Sequence, residues 1–70
     1  MFELYRRDGV GRRYVARAFD TFHDACAWAW ANKRPVCFEV DYEEGKGEAA
    51  DMFGADGEVW CIDRVRADNA

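Results

Sequence analysis

Basic charge is nearly missing from the second half of this chain. Residues 36–70 hold only Lys46, Arg64 and Arg66 against ten acidic residues, whereas residues 1–35 hold seven basic residues against four acidic ones. The whole chain carries −4 at neutral pH. Nucleic-acid phosphates repel such an acidic half, which excludes it as a non-specific nucleic-acid binder. A basic surface would attract it. Other scarcities exclude further classes. No apolar run approaches the roughly 20 residues of a membrane span. The start, Met1 to Tyr5, lacks the basic and apolar regions of a signal peptide, so a cytoplasmic protein is expected. Three cysteines, Cys26, Cys37 and Cys61, cannot all pair within one chain and contain no C-x-x-C. Reduced thiols acting as small apolar side chains are therefore expected, not a disulfide framework.

What is present suits one folded domain over residues 1–70. Half of the residues are apolar, which is enough for a modest core. Phe2 to Arg7 reads as a strand, and Asp8-Gly9 signals a hairpin turn. Arg12 to Phe19 returns as a second strand. Its alternation places Tyr14, Ala16 and Ala18 on one face, to receive a helix, and Arg13, Val15, Arg17 and Phe19 on the other. Thr21 is an N-cap candidate with Asp24 three residues later, and Pro35 disfavours helical geometry at Arg34. These signals predict a helix over 22–33. Its inner side would hold Phe22, Ala25, Cys26, Ala29 and Trp30, and Trp28 would be its most exposed aromatic. Val36 to Tyr42 alternates apolar and polar residues, a short strand is expected over 50–53, and Glu58 to Val65 forms the last strand with Trp60 and Ile62 inward. Residues 43–48 read as a charged loop, Gly54 to Gly57 as a turn, and 66–70 as a frayed end. The expected fold class is α+β, an antiparallel sheet with one helix packed on one face, in the order β-β-α-β-β-β.

No catalytic constellation accompanies this pattern, and no enzyme is expected. His23 and Cys26 stand three apart on the helix, but the thiol should be buried, and no glycine-rich oxyanion or phosphate loop accompanies the pair. Adding Cys37 and Cys61 would complete a Cys3His zinc set, yet those two point away from the helix. No metal and no cofactor is expected. A basic and aromatic sheet face of Arg12, Arg13 and Arg17 with Tyr5 and Phe19 would suit nucleic acid, against the overall acidity. Eleven aromatic residues exceed what a core of this size absorbs easily. Trp28, with Tyr5, Phe19 and Val59 on the open sheet face, is thus a candidate apolar contact.

The stretch from Gly11-Arg12-Arg13-Tyr14-Val15-Ala16-Arg17 through Asp20-Thr21-Phe22-His23-Asp24-Ala25-Cys26-Ala27-Trp28-Ala29 resembles a pattern of small bacterial and phage proteins. In that pattern a strand ending in Val-Ala precedes Thr, an acidic residue, Ala and Trp-Ala. The whole chain, short, acidic and aromatic, is similar in style to phage-borne anti-CRISPR proteins. That resemblance implies a non-enzymatic inhibitor of a CRISPR effector, sometimes acting through carboxylates placed where DNA phosphates would bind, and it brings no site residues with it.

The leading expectation is a stoichiometric inhibitor or adaptor, monomer or homodimer, that binds a basic protein surface. It engages neither nucleic acid directly nor membrane. The expected contact residues are Glu39, Asp41, Glu43, Glu44, Glu48, Asp51, Asp56 and Glu58, with Trp28 as apolar anchor. A domain that dimerises through its open sheet face is the alternative. A nucleic-acid module using the arginine-rich hairpin ranks third.

Overall fold

The computed structural model describes residues 1–43 and 47–65, with the backbone alone for Glu43. The elements are β1 (Phe2–Arg7), β2 (Arg13–Phe19), α1 (Phe22–Lys33), β3 (Cys37–Glu43), β4 (Gly47–Phe53) and β5 (Val59–Arg64). Local chemistry accounts for most of the boundaries. Asp8 organises the first hairpin: its carboxylate accepts from the backbone N–H groups of Val10 and Arg12 at 3.0 and 2.9 Å, and from the Tyr14 hydroxyl at 3.0 Å. The left-handed residue of this loop is Gly11 (φ 89°), so the chain turns through a longer loop than a two-residue Asp-Gly turn. Thr21 caps α1 by accepting from the Asp24 N–H at 3.1 Å. Arg34 closes it in the left-handed region (φ 46°) just before Pro35. Thr21→Ala is expected to cost about 1 kcal/mol. It should lower the melting temperature by about 4–8 °C in a domain of this size, read by circular dichroism.

The five strands form one antiparallel sheet in the order β2-β1-β5-β4-β3. This is the α+β class, with α1 on one face. The terminal strands β1 and β5 lie side by side at its centre, and the Val65 N–H donates to the Met1 carbonyl at 2.9 Å. β4 begins at Gly47, earlier than a strand over 50–53, because its register with β3 holds Gly47 to Ala49 extended despite their weak strand propensity. The expected loop over 43–48 falls partly, and the frayed end over 66–70 wholly, outside the described residues. No helix among the described residues is long and apolar enough to cross a membrane.

The core lies between α1 and the sheet. Leu4, Phe22, Ala25, Ala29, Ala50, Met52, Trp60 and Ile62 form it. Ala25 and Ala29 are fully buried, and their small side chains bring the helix close to the strands. Trp60 and Ile62 point inward as their alternation predicts.

Two face assignments are corrected by the structure. Leu4 pairs with Arg17 but Tyr5 pairs with Val15, so Ala16 is an extra residue on β2. Such a bulge reverses every later side chain. Arg17 and Phe19 therefore join the helix side, while Ala16 and Ala18 are exposed and receive nothing from α1. The second correction concerns the helix. Trp28 is half-buried against Phe19, with ring centroids 6.0 Å apart, and it is Trp30 that stands 61 % exposed. The two tryptophans flank the buried stripe on opposite sides. The extent of the sheet decides between them: α1 packs over β1, β2, β4 and β5, and it meets β3 only where the Trp30 ring lies edge-on to Phe38, with centroids 5.7 Å apart.

Candidate functional site

The strand register sorts the acidic residues onto different surfaces. On β3, Glu39 and Asp41 are exposed on the face away from α1. Glu39 pairs directly with Asp51 of β4, which is half-buried and pairs in turn with Cys61 of β5. Glu39, Asp41 and Asp51 thus share one sector of the open sheet face. Two residues of strand separate Glu39 from Asp41 by roughly 6.7 Å.

The remaining contact candidates are not gathered there. Glu48 pairs with Tyr42, in phase with Ala50 and Met52 on the helix side. Asp56 and Glu58 serve the β4–β5 turn. The Asp56 carboxylate accepts from the Glu58 N–H at 3.0 Å, and the Glu58 carboxylate accepts from the Trp60 indole N–H at 2.8 Å. Trp28 is enclosed by Phe19, with the Arg17 guanidinium carbon 5.0 Å and the Lys33 ammonium 5.8 Å from its ring centre. The Glu43 side chain and Glu44 lie outside the described residues.

The opposite side of the open face holds a cluster that sequence reasoning missed. Tyr5 is only 1 % exposed although it faces away from the helix. Its hydroxyl donates to the Asp63 carboxylate at 2.6 Å and accepts from Arg7 at 3.4 Å. The Arg13 guanidinium lies 4.0 Å from the Tyr5 ring centre and 3.7 Å from the Asp63 carboxylate. A planar guanidinium over an aromatic face combines cation–π attraction with coverage by its apolar stem. Tyr5 is thereby removed from the exposed aromatic set. Phe19 is removed as well, since the bulge carries it to the helix side, and Val59 is half-buried. The same bulge divides the basic hairpin: Arg13 accompanies Tyr5, and Arg17 accompanies Phe19 and Trp28. A continuous basic and aromatic nucleic-acid face is not formed. Alternation along β1 and β5 puts Tyr5, Cys61 and Asp63 in phase, but only the β1–β5 pairing brings them together.

Protonation follows from this packing. Burial, then donation to Asp63, pushes the Tyr5 phenol well above its ordinary value. Burial, then the neighbouring Asp51 carboxylate, pushes the Cys61 thiol up. Burial does the same to Cys26. Thiols held neutral in this way are poor nucleophiles. The exposed His23, Ala27 and Trp30, with the half-buried Cys26 and Phe38, line an open groove between α1 and β3. Cys26 is on the helix side, whereas Cys37 and Cys61 are in phase on the open face, so the Cys3His set is not brought together. Among the described residues no group of three or more His, Cys, Asp or Glu side chains is placed to hold a metal ion.

The open face is therefore divided in charge. Arg7 and Arg13 occupy the β1–β2 side, and Glu39, Asp41 and Asp51 occupy the β3–β4 side. Four strand spacings, about 19 Å, separate β2 from β3. No family model, no curated protein and no solved structure matches this chain.

Proposed function

We propose that this protein is a non-enzymatic, acidic binding protein that blocks a nucleic-acid-handling partner stoichiometrically, with inhibition of a CRISPR effector as the most concrete form. The observation that carries the reading is the gathering of Glu39, Asp41 and Asp51 on one face beside a sheet edge. The roughly 6.7 Å repeat along β3 is of the order of the spacing between neighbouring phosphates on a strand. A surface of lysines and arginines built to hold nucleic acid meets a similar charge pattern here, and opposite fields speed the encounter. The raised thiols of half-buried Cys26 and buried Cys61, and the division of the basic hairpin, weigh against the catalytic and nucleic-acid readings.

The test is the triple variant Glu39→Gln, Asp41→Asn, Asp51→Asn, assayed for melting and for inhibition of DNA binding by a CRISPR effector. Glu39 and Asp41 are exposed and should change stability by no more than about 0.5 kcal/mol each, whereas the half-buried Asp51 beside the Cys61 thiol should cost about 1 kcal/mol, the net worth of one hydrogen bond. Inhibition should fall at least tenfold. Full inhibition by the neutralised, folded protein would overturn the proposal. A second reading, a homodimer through the open face, draws support from the division of charge. A two-fold axis lying in the interface, parallel to the strands, would set Arg7 and Arg13 of one copy over Glu39 and Asp41 of the other. Sedimentation of wild-type protein at low and high salt distinguishes it.

A further inference from the structure

We infer that the partner engages β3 by strand addition, contributing an extended segment in which basic and apolar residues alternate. The inference rests on the acidic-binding reading and specifies its mode. β3 ends the sheet order, and among the described residues no strand pairs with its outer side. Its two faces differ sharply. Glu39 and Asp41 are exposed on the open face. On the helix side Val40 is 57 % and Tyr42 75 % exposed, because α1 touches this strand only at Phe38, through Trp30. An edge strand with free backbone groups is a template for another strand, with side-chain alternation supplying selectivity. The complementary segment carries Lys or Arg opposite Glu39 and Asp41, and apolar residues opposite Phe38, Val40 and Tyr42.

Charge also argues against a second copy as the occupant. Antiparallel pairing of β3 with itself, centred on Glu39, Val40 or Asp41, places acid directly opposite acid, which is destabilising. The other free edge, β2, offers Arg13-Tyr14-Val15, but the bulge at Ala16 turns Arg17 to the wrong face. Only one basic residue of β2 would then meet the acidic row. A foreign segment with unbroken alternation fits better than either edge of this protein.

The experiment uses labelled octapeptides and the full chain. One peptide is four Lys-Val repeats. A second has the same composition with four lysines followed by four valines. Two more are the alternating peptide N-methylated on its lysine amides or on its valine amides. On a strand, the amides of alternate residues point to one side, so one methylated series blocks the ladder and the other leaves it intact. The alternating peptide should bind at least tenfold more tightly than the block isomer. One methylated series, and not the other, should lose at least tenfold. Glu39→Lys with Asp41→Lys should lose tenfold or more. Equal binding of all four peptides would overturn strand addition while leaving an acidic binding surface in place. Binding of none of them, together with unimpaired DNA binding by the effector, would overturn the acidic-binding reading as well. Self-association that the alternating peptide disrupts and the block isomer does not would assign the β3 edge to a second copy and overturn the foreign segment.

Discussion

Ile62→Ala is expected to leave the chain unfolded at 37 °C. Ile62 is 0 % exposed on the central strand β5, paired with Leu4 on one side and Ala50 on the other. Removing its outer atoms forfeits their transfer free energy and leaves a cavity, a cost of about 2–5 kcal/mol. A domain of this length rarely has more than about 3–5 kcal/mol of net stability. The loss is thus comparable to the whole. Neighbours cannot collapse readily into the gap, since Ala25, Ala29 and Ala50 are already small and hold the helix near the sheet. Ile62→Val removes a single methylene and should cost only about 0.5–1.5 kcal/mol, leaving a folded protein with a lower melting temperature. Amide dispersion in proton–nitrogen NMR spectra of the two variants checks the pair. A well-dispersed alanine variant, melting within a few degrees of wild type, would show that the core beneath α1 carries less of the stability than its burial implies.

The features legible in the sequence were those set by neighbours along the chain. α1 runs from Phe22 to Lys33 because Thr21 caps it and Pro35 disfavours helix at Arg34, and both signals are local. Trp60 and Ile62 point inward because they dominate an alternating strand. The exposed pair Glu39 and Asp41 was readable for the same reason. Features set by register were not readable. Nothing at Ala16 announces a bulge, yet that one residue moves Phe19 and Arg17 to the helix side and Ala18 away from it. Asp51 joins Glu39 only through the β3–β4 pairing, and Tyr5 meets Asp63 only because the first and last strands are adjacent. Charge count alone could not tell Asp51 from Glu48, although alternation along β4 sends them to opposite faces. For Trp28 and Trp30 helical phase is nearly symmetrical, and the edge of the helix footprint settles which one is half-buried: Trp28 lies over β2 against Phe19, while Trp30 touches only Phe38 of the edge strand.

Stability should fall steeply above about pH 9, and Tyr5 should carry much of the loss. Tyr5 and Cys61 both have folded-state values raised above their unfolded ones. Below the unfolded values both groups are protonated in either state, and their packing stabilises the fold in full. As pH climbs past the unfolded value of the thiol and then of the phenol, the unfolded chain releases protons that the folded chain retains. The folded state loses ground until pH passes its own raised values. The sign is opposite to that of an ion-paired carboxylate, so the weakness appears in alkali. Tyr5→Phe removes the titrating hydroxyl and its donation to Asp63, while keeping the ring beneath Arg13. At pH 7 the variant should be less stable by about 1 kcal/mol, the ordinary net worth of one hydrogen bond. Near pH 11 it has no phenolate to expose, so the gap should close and then reverse. Cys61→Ala should flatten the earlier part of the decline, between the thiol and phenol ranges. Melting curves at half-unit intervals from pH 7 to 11 give the result directly: wild-type and Tyr5→Phe stability profiles that cross. Parallel profiles over that range would show that the Tyr5 phenol ionises as readily in the folded protein as in the unfolded chain.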